Sequence, residues 1–344
     1  MADNRYKRKN KKNNVKILLV LAIVIVLAAA VVIVVLATSS DRYEVKTGEG
    51  GSTKPNEEDW GNRLVYKGKN YRRNENLSTI LFLGVDQNSE DLDEGPNETE
   101  VGTIGTGGRA DSIILFILDD STQTTRMLTI SRDTMTDIDI YDMKGKFVST
   151  GQNQITMQYA YGDSPSKSLF LTKRTVGKLL YGIRIDGALS LTMDGINKVV
   201  DLLGGIKLTM PQDYSYIDPQ YTEGATVTLD GNAMERFIRY RDTSIAGSNE
   251  ERVKRQTWLI GAVFQELKSS GAMKFLEEII DSDPEYIESD VDGELLKKLS
   301  KYDIEEEKYK IPGEVIEGDK HDEFYVDEEG LQEMIVNLLY VPVE

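Results

Sequence analysis

Between Met234 and Gln256 the chain carries five arginines, Arg236, Arg239, Arg241, Arg252 and Arg255, and it has no arginine beyond Arg255. The protein as a whole is acidic, with formal net charge −17. A dense guanidinium cluster in such a chain points to a local anionic ligand. Guanidinium is the natural grip for phosphate, because its planar fork donates two parallel hydrogen bonds. Arg239 and Arg241 are two apart and share a side of an extended segment. Ser248-Asn249-Glu250-Glu251 has the pattern of a capping box opening a helix. On that helix Arg252, Arg255 and Gln256 fall at i, i+3 and i+4, on one face, near an N-terminus that itself favours anions. The same residues also fit a solvated surface in which the arginines pair with Glu235, Asp242, Glu250 and Glu251. Spacing alone leaves both readings open.

The elements that must position these groups are legible in outline. Thr79–Val85 is a continuous apolar run ending at Asp86, the pattern of a central strand covered on both faces. Ser112–Leu118 follows Arg109-Ala110-Asp111, and Met127–Ile130 runs into Ser131-Arg132-Asp133. If the middle strand is antiparallel to its neighbours, all these charges meet at one sheet edge, where α/β folds place ligands. Taken singly, each charge would only terminate a strand. Gln87–Gly108 is a polar loop whose Gly102, Gly105, Gly107 and Gly108 lack the GKS or GKT of a phosphate-binding loop. Leu64–Tyr66 and Lys69–Tyr71 flank Lys67-Gly68 as a small hairpin.

Helices are expected over Gln152–Tyr161, Ser166–Tyr181, Met193–Leu203 (stopped by Gly204-Gly205), Asp230–Tyr240 and Glu250–Ser269, with a strand at Ile206–Met210. The stripe Trp258, Leu259, Ala262, Val263 and Leu267 reads first as core packing. After Phe275 the chain turns strongly acidic, yet Leu295, Leu296 and Leu299, then Leu331, Met334, Ile335, Leu338 and Leu339, predict two amphipathic helices docked on the same domain.

The 344 residues, 40% of them hydrophobic, suffice for a sizeable core. The absence of cysteine excludes disulfides, thiolate metal sites and cysteine nucleophiles. The single histidine, His321, lies in an acidic stretch and reads as solvated. Ile17–Ala37 is twenty-one consecutive apolar residues, long enough to cross a bilayer as a helix. It is preceded by Arg5, Lys7, Arg8, Lys9, Lys11, Lys12 and Lys16 against Asp3 alone, so the N-terminus is expected in the cytoplasm and the rest outside. The expected organisation is a basic tail over 1–16, a transmembrane helix over 17–37, an external linker over 38–62 and one domain over 63–344 that includes the acidic helical part. Beyond residue 37 there remain 34 Lys+Arg and 57 Asp+Glu, a balance that speaks against nucleic acid as a partner.

The sequence resembles the LytR-CpsA-Psr family of bacterial cell-envelope enzymes from about Asn62 to the C-terminus. The likeness rests on Leu83-Gly84-Val85-Asp86, Arg109-Ala110-Asp111-Ser112, Ser131-Arg132-Asp133-Thr134, Gln158-Tyr159-Ala160-Tyr161-Gly162, Val200-Asp201-Leu202-Leu203-Gly204-Gly205, Arg239-Tyr240-Arg241 and Arg252-Val253-Lys254-Arg255-Gln256. Each motif is weak alone; in this order, behind an N-terminal anchor, they are specific. The resemblance implies an α/β fold, an α/β/α sandwich around a mixed central sheet. It implies a Mg²⁺-dependent enzyme on the outer face of a bacterial, Gram-positive membrane. That enzyme would move a glycopolymer, a teichoic acid or capsular polysaccharide, from a polyprenyl pyrophosphate carrier to peptidoglycan.

By the same resemblance Asp86 and Asp111 match metal ligands. Arg109, Arg132, Arg239, Arg241, Arg252 and Gln256 match pyrophosphate-binding positions, with Arg255 adjacent to them. Arg132, Asp133, Arg239 and Arg241 are the expected catalytic residues, and either Asp111 or Asp133 could take the acceptor's proton. Two departures stand out: Gln87-Asn88 opens an acidic loop where the family has a short polar continuation, and Asn249 stands where the family often has aspartate. The alternatives are a pyrophosphatase acting on the same lipid-linked glycan and a non-catalytic polyprenyl-phosphate-binding regulator.

Overall fold

The computed structural model describes residues 62–86, 108–142, 144–240, 248–269, 286–318 and 322–343. The expected transmembrane helix over 17–37, nearly all of the linker, the 87–107 loop, Arg241 and His321 lie outside the described residues. Among the described residues no helix is long and apolar enough to cross a membrane.

Two strands with unbroken apolar middles, β3 (Leu77–Asp86) over 80–85 and β4 (Arg109–Asp119) over 113–118, need cover on both faces. They receive it. Leu81, Leu83, Ile113, Leu115 and Ile117 pack into one core cluster. Ile80, Phe82, Ile114, Phe116 and Leu118, of the opposite parity, pack into a second. With β1 (Arg63–Tyr66), β2 (Lys69–Arg73), β5 (Thr124–Ile130), β6 (Met135–Tyr141), β7 (Phe147–Gln154), β8 (Gly187–Thr192), β9 (Ile206–Thr209), β10 (Thr226–Leu229), β11 (Ile287–Ser289) and β12 (Asp303–Lys310), the chain builds a six-stranded sheet in the order β11-β8-β3-β4-β5-β12. The pairs β3/β8 and β5/β12 are parallel and the rest antiparallel, so the sheet is mixed.

Helices cover each face. Leu169 and Val176 of α2 (Pro165–Leu179), which follows the short α1 (Met157–Ala160), belong to the first cluster. The second takes Val200 of α3 (Met193–Leu202), Met234 and Phe237 of α4 (Gly231–Arg239), Leu259 of α5 (Ser248–Ser269) and Leu295 and Leu299 of α6 (Gly293–Lys301). Three short strands, β13 (Gly313–Ile316), β14 (Glu323–Val326) and β15 (Tyr340–Pro342), and α7 (Glu328–Leu339) complete the chain. Leu331, Ile335 and Leu338 of α7 close the first cluster.

The expected hairpin at the domain's start forms, with Lys67 and Gly68 both at positive φ (46° and 74°), as a two-residue turn matching strand twist requires. The two acidic amphipathic helices also form and dock. Two expectations change. Gln152–Tyr161 is not one helix: Gln152, Asn153 and Gln154 pair across to Asp137, Thr136 and Met135 in the β6–β7 hairpin, and only Met157–Ala160 remains helical. Cross-strand pairing has overridden local preference there. Between the acidic helices, Asp303–Lys310 adds an edge strand to the main sheet. Glu306 and Glu307 are exposed, which suits an edge that must not recruit another strand, while Glu305 accepts from Thr124 Oγ1 of β5 at 2.7 Å.

The small sheet β1-β2-β15 is tied to the main one through Arg73 and Asp186, both largely buried. Asp186 Oδ2 accepts from Arg73 Nη2 at 2.7 Å, from the Thr79 amide at 2.8 Å and from Thr79 Oγ1 at 3.1 Å. Arg73 also donates to the Arg184 carbonyl. Burial pulls the Arg73 guanidinium below its usual range, and Asp186 opposes that shift. Asp186→Ala leaves the guanidinium buried and uncompensated. It should lower unfolding free energy by about 3 kcal/mol, measurable by urea denaturation, while surface pairs such as Arg72–Glu75 should tolerate alanine within about 0.5 kcal/mol.

Candidate active site at the sheet edge

The antiparallel pairing of β3 with β4 and of β4 with β5 brings Asp86, Arg109, Asp111, Arg132 and Asp133 to one end of the sheet. The pairing there is irregular. Gly84 opposes Ser112 and Val85 opposes Ala110, so Asp111 is the extra residue of a β-bulge. A bulge re-aims a side chain and bends the strand. A Cβ on Gly84 would stand 3.0 Å from Ser112 Cβ, so glycine is what permits this close approach.

Arg132 Nη1 meets Asp111 Oδ2 at 2.7 Å, and its Nε lies 3.5 Å from Asp133 Oδ1. Thr156 Oγ1 reaches Asp111 Oδ1 at 3.4 Å, and Gln154 Nε2 donates to Asp133 Oδ1 at 3.0 Å. Burial alone would lower the Arg132 guanidinium, but Asp111, Asp133 and Asp86 outweigh it and hold the group above its usual range. Burial pushes the Asp133 carboxyl up; Asp322 and Asp111 add to this, and Arg132 and Arg252 oppose it.

Helix α4 supplies the other wall. Asp230 caps its N-terminus by accepting the Ala233 amide at 2.8 Å. At its far end Arg239 Nη2 bonds Asp86 Oδ1 at 3.0 Å, while its Nε meets Glu235 Oε1 one turn back at 3.1 Å. The Arg239–Glu235 pair is one that a purely surface reading expects; the Asp86 contact, 153 residues away in sequence, is not. Arg252 and Gln256 of α5 line the same cleft as Asp86, Asp111 and Arg239. Arg109 is exposed on β4, directly across from Asp86.

Arg255 is the correction. It does not join the cleft but is buried, 3% exposed, with Nε donating to the Phe237 carbonyl at 2.8 Å and Nη2 to the Tyr240 carbonyl. Gln256 Nε2 donates to the neighbouring Ile238 carbonyl at 3.2 Å. The last turn of a helix leaves its carbonyls without intrahelical partners. Here α5 satisfies those of α4, and so fixes Arg239 relative to Arg252. The i, i+3, i+4 spacing could not separate these roles, because Arg255 sits one position round the helix from the face that opens to the cleft.

Inward from the charged rim the cleft is apolar: Phe82, Val85, Met193, Ile196, Ile238, Leu259 and Ile260 line it, and its volume is about 200 Å³. Such a site suits an amphiphile with an anionic head and a hydrocarbon tail. Gln154 and Thr156, which orient the charged groups, carried no motif signal. They are recognisable only once the β6–β7 hairpin is in place.

Comparison with known proteins agrees with this architecture. The sequence profile of the LytR_cpsA_psr family matches residues 35–338, and the chain belongs to that family. It is 27% identical over 225 residues to the polyisoprenyl-teichoic acid–peptidoglycan teichoic acid transferase TagU of Oceanobacillus iheyensis, 64% of this chain and 61% of that protein. It is 26% identical over 219 residues to the corresponding transferase TagV of Bacillus subtilis, 62% of this chain and 49% of that protein. The chain thus spans roughly half to three fifths of the curated relatives it matches. In fold it is similar to the crystal structure of B. subtilis TagU (TM-score 0.55, 20% identity, 77% of this chain and 96% of that one). It is likewise similar to TagT bound to LIIa-WTA (TM-score 0.54, 21% identity, 77% and 90%).

Two expected outcomes separate the site's roles. Arg255→Ala should destabilise the fold by about 3 kcal/mol, since two charged hydrogen bonds are lost and carbonyls are left unpaired, whereas Arg252→Ala should change stability by no more than about 0.5 kcal/mol; thermal denaturation distinguishes them. Asp133 provides a pH signature. Its folded-state proton affinity is raised, so the native state loses stability as pH rises from the ordinary carboxylate range through the raised value. Asp133→Asn should therefore stabilise at neutral pH and lose that advantage below about pH 3.8.

Proposed function

We propose that this chain is a phosphotransferase moving a glycopolymer, of the teichoic acid class, from a polyprenyl pyrophosphate carrier to peptidoglycan. It would be a single-pass membrane protein anchored through 17–37, with the domain from 63 onward outside. The observation that carries the reading is the pairing of Arg132 with Asp111 and of Arg239 with Asp86 at the mouth of a cleft whose interior is apolar. The family's teichoic acid transferases support the substrate class.

In this reading Arg132, Arg239 and Arg252 grip the pyrophosphate oxygens, helped by Arg109, Arg241 and Gln256, and the first isoprenyl units lie along Phe82, Ile196 and Leu259. Asp86 and Asp111 would hold a Mg²⁺, which supplies further neutralisation of the pyrophosphate charge. The donor chemistry fits: among the described residues no third carboxylate or histidine joins these two, and Mg²⁺ retains water and phosphate oxygens beside one or two carboxylates. An acceptor hydroxyl attacks the glycan-side phosphorus, forming the phosphodiester. The bond to the bridging oxygen breaks, and polyprenyl phosphate leaves. Asp133, largely buried and with its proton affinity raised by that burial, takes the hydroxyl proton, while Asp111 would be occupied in holding the Mg²⁺. Phosphoryl transfer asks chiefly for position and charge neutralisation, which this constellation supplies.

The test is glycan attachment to peptidoglycan oligomers from a short polyprenyl pyrophosphate-linked saccharide. Arg132→Ala or Asp111→Asn should cut attachment by about a hundredfold or more, and chelation of Mg²⁺ should do likewise. Release of phosphate-terminated glycan without attachment would replace the proposal with hydrolysis. Tight lipid binding without turnover would leave a binding protein.

A further inference from the structure

The turn of the β6–β7 hairpin presents apolar side chains that neither core nor cleft uses. Phe147 is 50% exposed and Val148 59%, and Phe170 on α2 is 42% exposed. Phe147 and Phe170 are joined through Tyr141 and Lys167, and Val148 follows Phe147 in β7. The Phe147 ring lies 5.8 Å from that of Tyr141, and Lys167 Nζ lies 5.2 Å from the Tyr141 ring and 5.5 Å from the Phe170 ring. Lys144 and Lys146 flank it on the turn. Two carboxylates stand nearby. Asp142 is folded into the turn, its Oδ1 accepting the amides of Lys144 and Lys146 at 2.9 and 3.0 Å, and Asp163 lies against Gly145. Lysines outnumber carboxylates here, although across the chain 58 acidic residues exceed 41 basic ones.

The patch also lies toward the charged end of the sheet. Ser166, at the start of α2, donates to Glu288 at 2.7 Å; Glu288 registers with Ser190, and Ser190 with Leu83, three residues before Asp86. That is about 10 Å along the strand direction.

We propose that this patch docks on the surface of an anionic lipid bilayer, with Phe147, Val148 and Phe170 at the headgroup–acyl boundary and the three lysines against lipid phosphate. Apolar tips sink into that boundary while lysine stems lie along it and their ammonium groups stay among the headgroups. A saccharide is recognised by aromatic faces and amide hydrogen bonds. Val148, the most exposed of the three, offers neither. The proposal rests on the membrane-anchored reading above, and docking would hold the cleft mouth near the layer that carries a polyprenyl substrate.

The test uses the full-length chain in proteoliposomes, with Phe147→Trp as reporter and the wild-type chain as background for Trp60 and Trp258. In phosphatidylglycerol vesicles containing brominated lipid, the added emission should be blue-shifted and quenched. Lys144→Gln with Lys146→Gln should lower the docked-to-undocked ratio by about twenty-five-fold, taking about fivefold per lysine. If the chain floats with the vesicles but the new tryptophan is unquenched, the patch does not dock and the proposal fails while the anchor stands. If the chain does not float, the anchor reading fails, and the same quenching with added vesicles still decides the patch. Equal quenching in phosphatidylcholine would overturn the role of the lysines. An emission change on adding peptidoglycan fragments, with no lipid quenching, would reassign the patch to glycan and overturn the proposal.

Discussion

The constraint on which this structure turns is charge compensation at the end of the central sheet. Asp86 and Asp111 on adjoining strands and Asp133 just past the end of β5 are gathered at one edge, an arrangement that would repel itself if left alone. Arg132 between Asp111 and Asp133, and Arg239 against Asp86, relieve that repulsion. The compensation is incomplete at Asp133, whose carboxyl keeps a raised proton affinity despite two arginines nearby. Opposite charges paired at a cleft mouth are prepared to exchange partners. An anionic head can take over the guanidiniums, which releases the carboxylates for other work.

Rigid elements hold these groups in register. The β3–β4 pair is buried on both faces, so its strands cannot slip by one residue without turning a whole apolar set into the wrong layer. Its single irregularity, the bulge at Asp111, lies where a carboxylate has to be re-aimed. The opposite wall depends on α5, whose Arg255 and Gln256 take up the carbonyls at the end of α4. Arg239 and Arg252 therefore belong to one unit, even though Arg255 itself makes no use of the cleft.

The cleft joins two solvents. Its rim is a lattice of ion pairs, and its interior is drawn from the same apolar cluster that packs α3, α4 and α5 against the sheet. A site of this kind is selective through the combination. A free phosphate would leave the apolar surface unfilled, and an uncharged lipid would leave the guanidiniums paired only with their own carboxylates.

Much of this was legible in the residues themselves. Continuous apolar runs announce the two central strands, and the charges at their ends announce one functional edge. Motif order points to the family, and a 3.6-residue period marks the two C-terminal helices. These are local properties, determined by side-chain chemistry and spacing. What only the tertiary structure decided were the consequences of distant pairing. The 152–154 segment became strand because 135–137 was there to pair with it, and the acidic 303–310 segment closed the sheet because β5 offered a free edge. Arg255 turned inward because the last carbonyls of α4 lay beside it unsatisfied. Neighbouring arginines on one helix look alike in sequence; which of them meets a ligand and which meets a buried carbonyl depends on what the fold sets against each.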